Sequence, residues 1–105
     1  MFFIGIDVAK RSHQAAVTDI SGNVIVKPFN FKNSSDGFTK FLSIVESNAI
    51  EKNDCTIGLE STGHYWYPLY FFLIENGFDV KRILQDSAGI PKLISPMKIC
   101  LLSKI

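Results

Sequence analysis

From Phe2 to Val8 the chain is apolar at every position except Asp7, the pattern of a strand buried on both faces. From His13 to Ile20 it alternates instead, with Ala15 and Val17 set against Gln14 and Thr18, as a half-buried strand does. Ser21-Gly22-Asn23 is a turn signal, after which Val24 to Phe31 returns with Phe29 and Phe31 on one face. These three strands predict an antiparallel meander. The period then changes. Ser34-Ser35-Asp36 supplies capping oxygens, and Phe38, Phe41, Leu42 and Val45 fall at i, i+3, i+4 and i+7, the stripe of an amphipathic helix. Cys55 to Leu59 reads as a fourth strand. A helical crossover joins parallel neighbours, so this strand is expected to run parallel to the first. The turn at Ser61-Thr62-Gly63 predicts the start of a second helix, with Pro68 near its first turn and Gly77 at its end. Asp79 to Leu84 completes the series as a fifth strand, and the order predicts an α/β fold built on one mixed sheet.

Gln85 to Ile105 carries Pro91, Pro96 and three lysines with no clean period. It reads either as the cut-short end of a longer protein or as a short terminal helix packed on the sheet. A chain of 105 residues, 47% hydrophobic, makes one domain with a real core and leaves no room for a second. The net charge of +1 offers no compositional argument for a nucleic-acid partner. Cys55 and Cys100 are too few for a disulfide framework and are not spaced like zinc ligands, which fits a reducing compartment. The N-terminus has no basic start, and Asp7 interrupts its apolar run. The longest apolar stretch, Tyr65 to Ile74, is about half of the roughly 20 residues a membrane span needs and contains Pro68. A soluble, cytoplasmic chain with no membrane partner is expected.

Candidate chemistry gathers at the two places where an apolar strand runs out in a carboxylate, Asp7 and Glu60. If the two strands are parallel neighbours, both carboxylates emerge at one edge of the sheet, the edge where ligands usually bind. A desolvated, unpaired carboxylate costs several kcal/mol, roughly, so each must be hydrogen-bonded, protonated or bound to a cation. A divalent metal would satisfy both. The bland readings are a turn-forming Asp7 and a solvated Glu60. Lys10 and Arg11, just beyond Asp7, either touch a phosphate backbone or form a solvated turn. His64 either caps a helix or binds metal. Tyr65, Trp66, Tyr67 and Tyr70 either stack on bases or belong to the core.

Gly5-Ile6-Asp7-Val8-Ala9-Lys10 and Gly58-Leu59-Glu60-Ser61-Thr62-Gly63-His64-Tyr65-Trp66-Tyr67-Pro68-Leu69 carry a family resemblance. Met1 to about Val80 resembles the N-terminal domain of the RuvC-like transposases of one insertion-sequence family, a group that includes Piv-type DNA invertases and bridge-RNA-guided recombinases. The resemblance implies a ribonuclease-H-like mixed sheet with an Asp-Glu-Asp-Asp metal site, here incomplete at the C-terminus. Residues 1–84 would be the RuvC-like domain and residues 85–105 a divergent or truncated tail. It also implies DNA transposition and recombination with Mg²⁺, on DNA of the mobile element and its target, in a homo-oligomer and in some members with a guide RNA. Asp7 and Glu60 match the first two carboxylates, Asp7 bridging two ions about 4 Å apart and Glu60 completing one side. The other two acids belong to a Lys- and Asp-rich stretch after the fifth strand that has no counterpart here, and neither Asp79 nor Asp86 stands in such a motif. The family's catalytic serine sits in a separate C-terminal domain, so Ser61 does not take that role. With half of the acidic site, the chain is expected to be inactive by itself.

Two other functions compete. A non-catalytic module of the same fold could hold nucleic acid or another subunit. Actin-like and sugar-kinase domains also begin with a strand ending in Gly-Ile-Asp, but they follow it with a glycine-rich phosphate turn, where this chain has Val8-Ala9-Lys10.

Overall fold

The computed structural model describes residues 1–61 and 65–84. Their order is β1 (Phe2–Asp7), β2 (Ser12–Asp19), β3 (Val24–Lys32), α1 (Ser35–Ser47), a 3₁₀ turn (Lys52–Asp54), β4 (Cys55–Ser61), α2 (Tyr67–Glu75) and β5 (Asp79–Leu84). The sheet order is β3-β2-β1-β4-β5. The pairs β1–β2 and β2–β3 are antiparallel, and β1–β4 and β4–β5 are parallel, so the expected meander and crossover are both present. The expectations for His64, Cys100, Asp86 and the tail lie outside the described residues.

β1 is central, and Phe3 to Ile6 are buried, as its unbroken apolar pattern requires. Alternation puts Ile4 and Ile6 on one face, level with Ala15, Val17, Ile57 and Leu59. Phe38, Phe41 and Val45 of α1 and Leu69 and Leu73 of α2 join them in one core cluster, so both helices cover this face. The opposite face carries Gly5, Asp7, Ala16, Thr18, Thr56, Gly58 and Glu60 in the same registers. Apart from the buried Phe3 it is built of small and polar side chains, and it bears both candidate carboxylates.

β3 is an edge strand with irregular pairing. Ala15 faces Phe29 while Val17 faces Val26, so β3 has one extra residue in the stretch that includes Pro28. Proline has no N–H to give to a ladder, and a bulge at an edge is where a strand tolerates it. Such irregularity also blunts an edge against pairing with other chains.

The helices begin and end by local chemistry. Ser34, extended at φ −160, accepts the Gly37 N–H at 3.2 Å on its Oγ and so caps α1. Glycine is required at position 37, because a Cβ there would collide with the Lys32 backbone. α2 starts at Tyr67 with Pro68 in its first turn, as the sequence predicts for that proline. β4 runs on past its expected end at Leu59, so Ser61 belongs to the strand, paired with Leu84 of β5, and not to a turn. Gly77, at φ +87, closes α2 as its sequence predicts: its N–H donates to the Ile74 carbonyl and the Phe78 N–H to that of Leu73.

Candidate functional site

Asp7 and Glu60 are register partners on the parallel strands β1 and β4, so their side chains leave the sheet side by side on its polar face. The Val8 N–H donates to the Glu60 carbonyl at 2.9 Å, which fixes the backbone just past both carboxylates. Asp7 is half-buried, whereas Glu60 is 2% exposed and its Oε1 has no hydrogen-bond partner among the described residues. Burial raises the pKa of Asp7. Glu60 is raised too, first by burial and then by the negative charge of Asp7. Both groups therefore lie where a negative charge is poorly satisfied, and a cation between them would satisfy it. Among the described residues no cluster of three or more His, Cys, Asp or Glu forms.

Asp79 is exposed. Its Oδ2 accepts from Thr56 Oγ1 at 3.2 Å. Cys55 is buried, and its thiol is pushed up to about 11, first by burial and then by Asp54 and Asp79, so it stays protonated and unreactive.

Lys10 and Arg11 are exposed in the turn from β1 to β2. That turn is held from behind by two residues the sequence reading did not single out. The Ala9 N–H donates to His13 Nδ1 at 3.2 Å, Asn33 Nδ2 donates to the Lys10 carbonyl at 3.1 Å, and the Asn33 N–H to the Arg11 carbonyl at 2.9 Å. His13 is fully buried, edge-on to Phe31 at 5.2 Å and stacked with Phe38 at 6.3 Å. Accepting on Nδ1, it carries its proton on Nε2. That atom and Asn33 Oδ1 are both buried without a well-formed hydrogen bond. Burial lowers the His13 pKa, and the Asn33 side chain partly opposes this. The alternation of β2 contained the signal, since it puts His13 on the face of Ala15 and Val17.

The large apolar residues of α2 and of the turn before it divide. Leu69 and Leu73 are buried, Trp66 and Tyr70 are half-buried, and Tyr65, Tyr67 and Phe71 are exposed. The Arg82 guanidinium lies 4.1 Å from the Trp66 ring centroid, a cation–π contact.

Among solved structures, the chain is similar to RuvC of T. thermophilus in complex with a Holliday junction substrate, at 12% identity and a TM-score of 0.54, covering 80% of this chain and 66% of that one. A second Thermus thermophilus RuvC structure is 15% identical with a TM-score of 0.52, covering 92% and 75%. At such identities the likeness shows the fold, which is ribonuclease-H-like. Comparison with curated proteins gives no significant match. Residues 4–87 match the family profile described as Transposase, that of the DEDD transposases of the IS110 group, and the chain belongs to that family.

Proposed function

We propose that residues 1–84 are the N-terminal unit of a DNA transposase or recombinase in which Asp7 and Glu60 hold a divalent cation, Mg²⁺, with residues 85–105 a separate tail. The observation that carries this reading is the register pairing of the two carboxylates on one face, with Glu60 Oε1 buried and unpartnered among the described residues. Hard, anionic oxygens are what Mg²⁺ prefers, and an orphaned carboxylate oxygen in a desolvated position fits the ion. When bound, the ion supplies Lewis-acid stabilisation to a phosphodiester oxygen and acidifies an attacking water or hydroxyl.

The chain's own residues do the rest. Packing of Ile4, Ile6 and Leu59 on the helix-covered face keeps β1 and β4 rigid, so the carboxylates are placed by strands and not by loops. Lys10 and Arg11, held by Asn33, meet the phosphates of the strand being cut. DNA is the partner that the family and the junction-bound RuvC neighbour favour.

Titration of Mn²⁺ into the protein, followed by the electron paramagnetic resonance of the free ion, tests the site without any activity. The wild-type chain should bind, weakly because only two carboxylates contribute. Asp7→Asn and Glu60→Gln should each weaken binding by about ten-fold or more. Equal binding by both variants would remove the site.

A further inference from the structure

Apart from the two candidate carboxylates themselves, the corner of the molecule around them is rich in cations. Four cations collect at the edge of the sheet where Asp7 and Glu60 emerge: Lys10 and Arg11 in the first turn, Lys32 at the end of β3 and Lys40 on α1. The register joins them, because Ser12 pairs with Lys32 and Asn33 grips the backbone of Lys10 and Arg11. Lys40 reaches back across the groove, donating from Nζ to the Asn30 carbonyl at 2.8 Å. All four are exposed, and none is in an ion pair among the described residues. Among the described residues that line this groove, Asp36 is the one acid. Glu46, on the last turn of α1, and Glu51 border a different cavity.

The groove itself is an open cavity of about 440 Å³ bounded by Ser12, Lys32, Asp36 and Lys40. Its aromatic wall is Phe31, which is 2% exposed and so offers no face for an unpaired base to stack on. The exposed rings lie on α2 and just before it, at Tyr65, Tyr67 and Phe71. Cations without stacking platforms grip a backbone and leave bases unread.

We propose that Lys32 and Lys40, continuing the line of Lys10 and Arg11, form a docking surface for the phosphates of duplex DNA flanking the cleavage edge. This rests on the reading of the chain as a DNA-acting domain and extends it to a surface away from the carboxylates. Each contacted phosphate releases counterions, so each cation adds close to one to the slope of log affinity against log salt.

The test is fluorescence anisotropy of the full chain with a duplex of about 30 base pairs and arbitrary sequence, over a salt series. Lys32→Gln with Lys40→Gln should weaken binding alike on unrelated sequences and lower the slope by about 1.8. Lys27→Gln with Lys52→Gln, cations away from this corner, should leave the slope unchanged. Lys40→Arg should keep it. If thermal melting shows the double variant unfolded, Lys32→Gln alone should lower the slope by about 0.9. Equal loss in the control pair, no change at the corner, or tighter lysine-dependent binding to RNA of the same sequence would each overturn the proposal. Mn²⁺ titration separates the two readings: the lysine variants should bind the ion like wild type, and Asp7→Asn should keep the full salt slope. A wild-type chain that binds no ion but shows the lysine-dependent slope would sink the metal site and leave this surface standing.

Discussion

Glu60 places a carboxylate oxygen in a buried position with no donor among the described residues, beside a second carboxylate in register. An uncompensated charge there destabilises the metal-free fold, and removing it should help. Glu60→Gln and Asp7→Asn are each expected to be neutral or stabilising by up to about 1 kcal/mol in urea unfolding without divalent ions. A loss of several kcal/mol in Asp7→Asn would show instead that Asp7 is a structural cap. His13 makes the opposite case. Its ring fits an apolar pocket of Phe31 and Phe38, but Nδ1 is the acceptor of the Ala9 N–H. His13→Phe should keep the packing, strand that N–H, and lose about 1–3 kcal/mol. Amide exchange should accelerate at Ala9 well before it does in β1; uniform exchange across the sheet would show that the ring only fills space.

The two helices end in the same hydrogen-bond pattern with different residues at the critical position. Gly77 suits its φ of +87, but after α1 the equivalent place is taken by Ala49 at φ +58, with Ala49 N–H donating to Glu46 and Ile50 N–H to Val45. A Cβ in the left-handed region costs about 1–2 kcal/mol, partly offset by the lower entropy of unfolded Ala. Ala49→Gly should therefore stabilise the fold by roughly 0.5–1 kcal/mol in thermal unfolding, and a destabilised variant would refute the strain. Elements of this kind were largely legible in the sequence because periodicity and capping are local. The stripe Phe38, Phe41, Leu42 and Val45, the Ser34 cap and Gly77 announce themselves within a few residues. The extension of β4 to Ser61 and the bulged stretch at Pro28 were not legible, since each depends on which partner strand lies alongside. The site divides in the same way. Crossover topology put Asp7 and Glu60 at one edge, yet the burial of Glu60 and the His13–Asn33 clamp arise from contacts distant in sequence.

At the scale of the molecule, one face of the sheet is spent on helix packing and buries His13, whereas the other bears Asp7 and Glu60, so pH acts on both faces and the proposed metal would act through the polar one. Asp7 and Glu60 have pKa values raised above their ordinary 3.8 and 4.5, so the folded chain binds more protons than the unfolded one in that range. Their contribution is complete below the unfolded values and is lost as pH rises through the folded ones. His13, lowered from 6.5 by burial, works in the other sense: stability falls as pH drops from 6.5 through its folded value. Asp19, lowered chiefly by hydrogen bonds from Asn23, also loses its contribution as pH falls, below 3.8. Subtracting the profile of the Asp7→Asn/Glu60→Gln double variant from that of wild type cancels His13 and Asp19 and isolates the pair. Without metal the difference should fall as pH rises above about 4. With 10 mM Mg²⁺ it should rise instead, because only ionised carboxylates hold the ion. For a Kd near 1 mM the gain at neutral pH is about 1.4 kcal/mol, or several degrees in Tm for a chain of this size. The double variant should be insensitive to Mg²⁺. Parallel profiles for the two proteins, with and without the ion, would mean that these carboxylates neither repel one another nor bind metal.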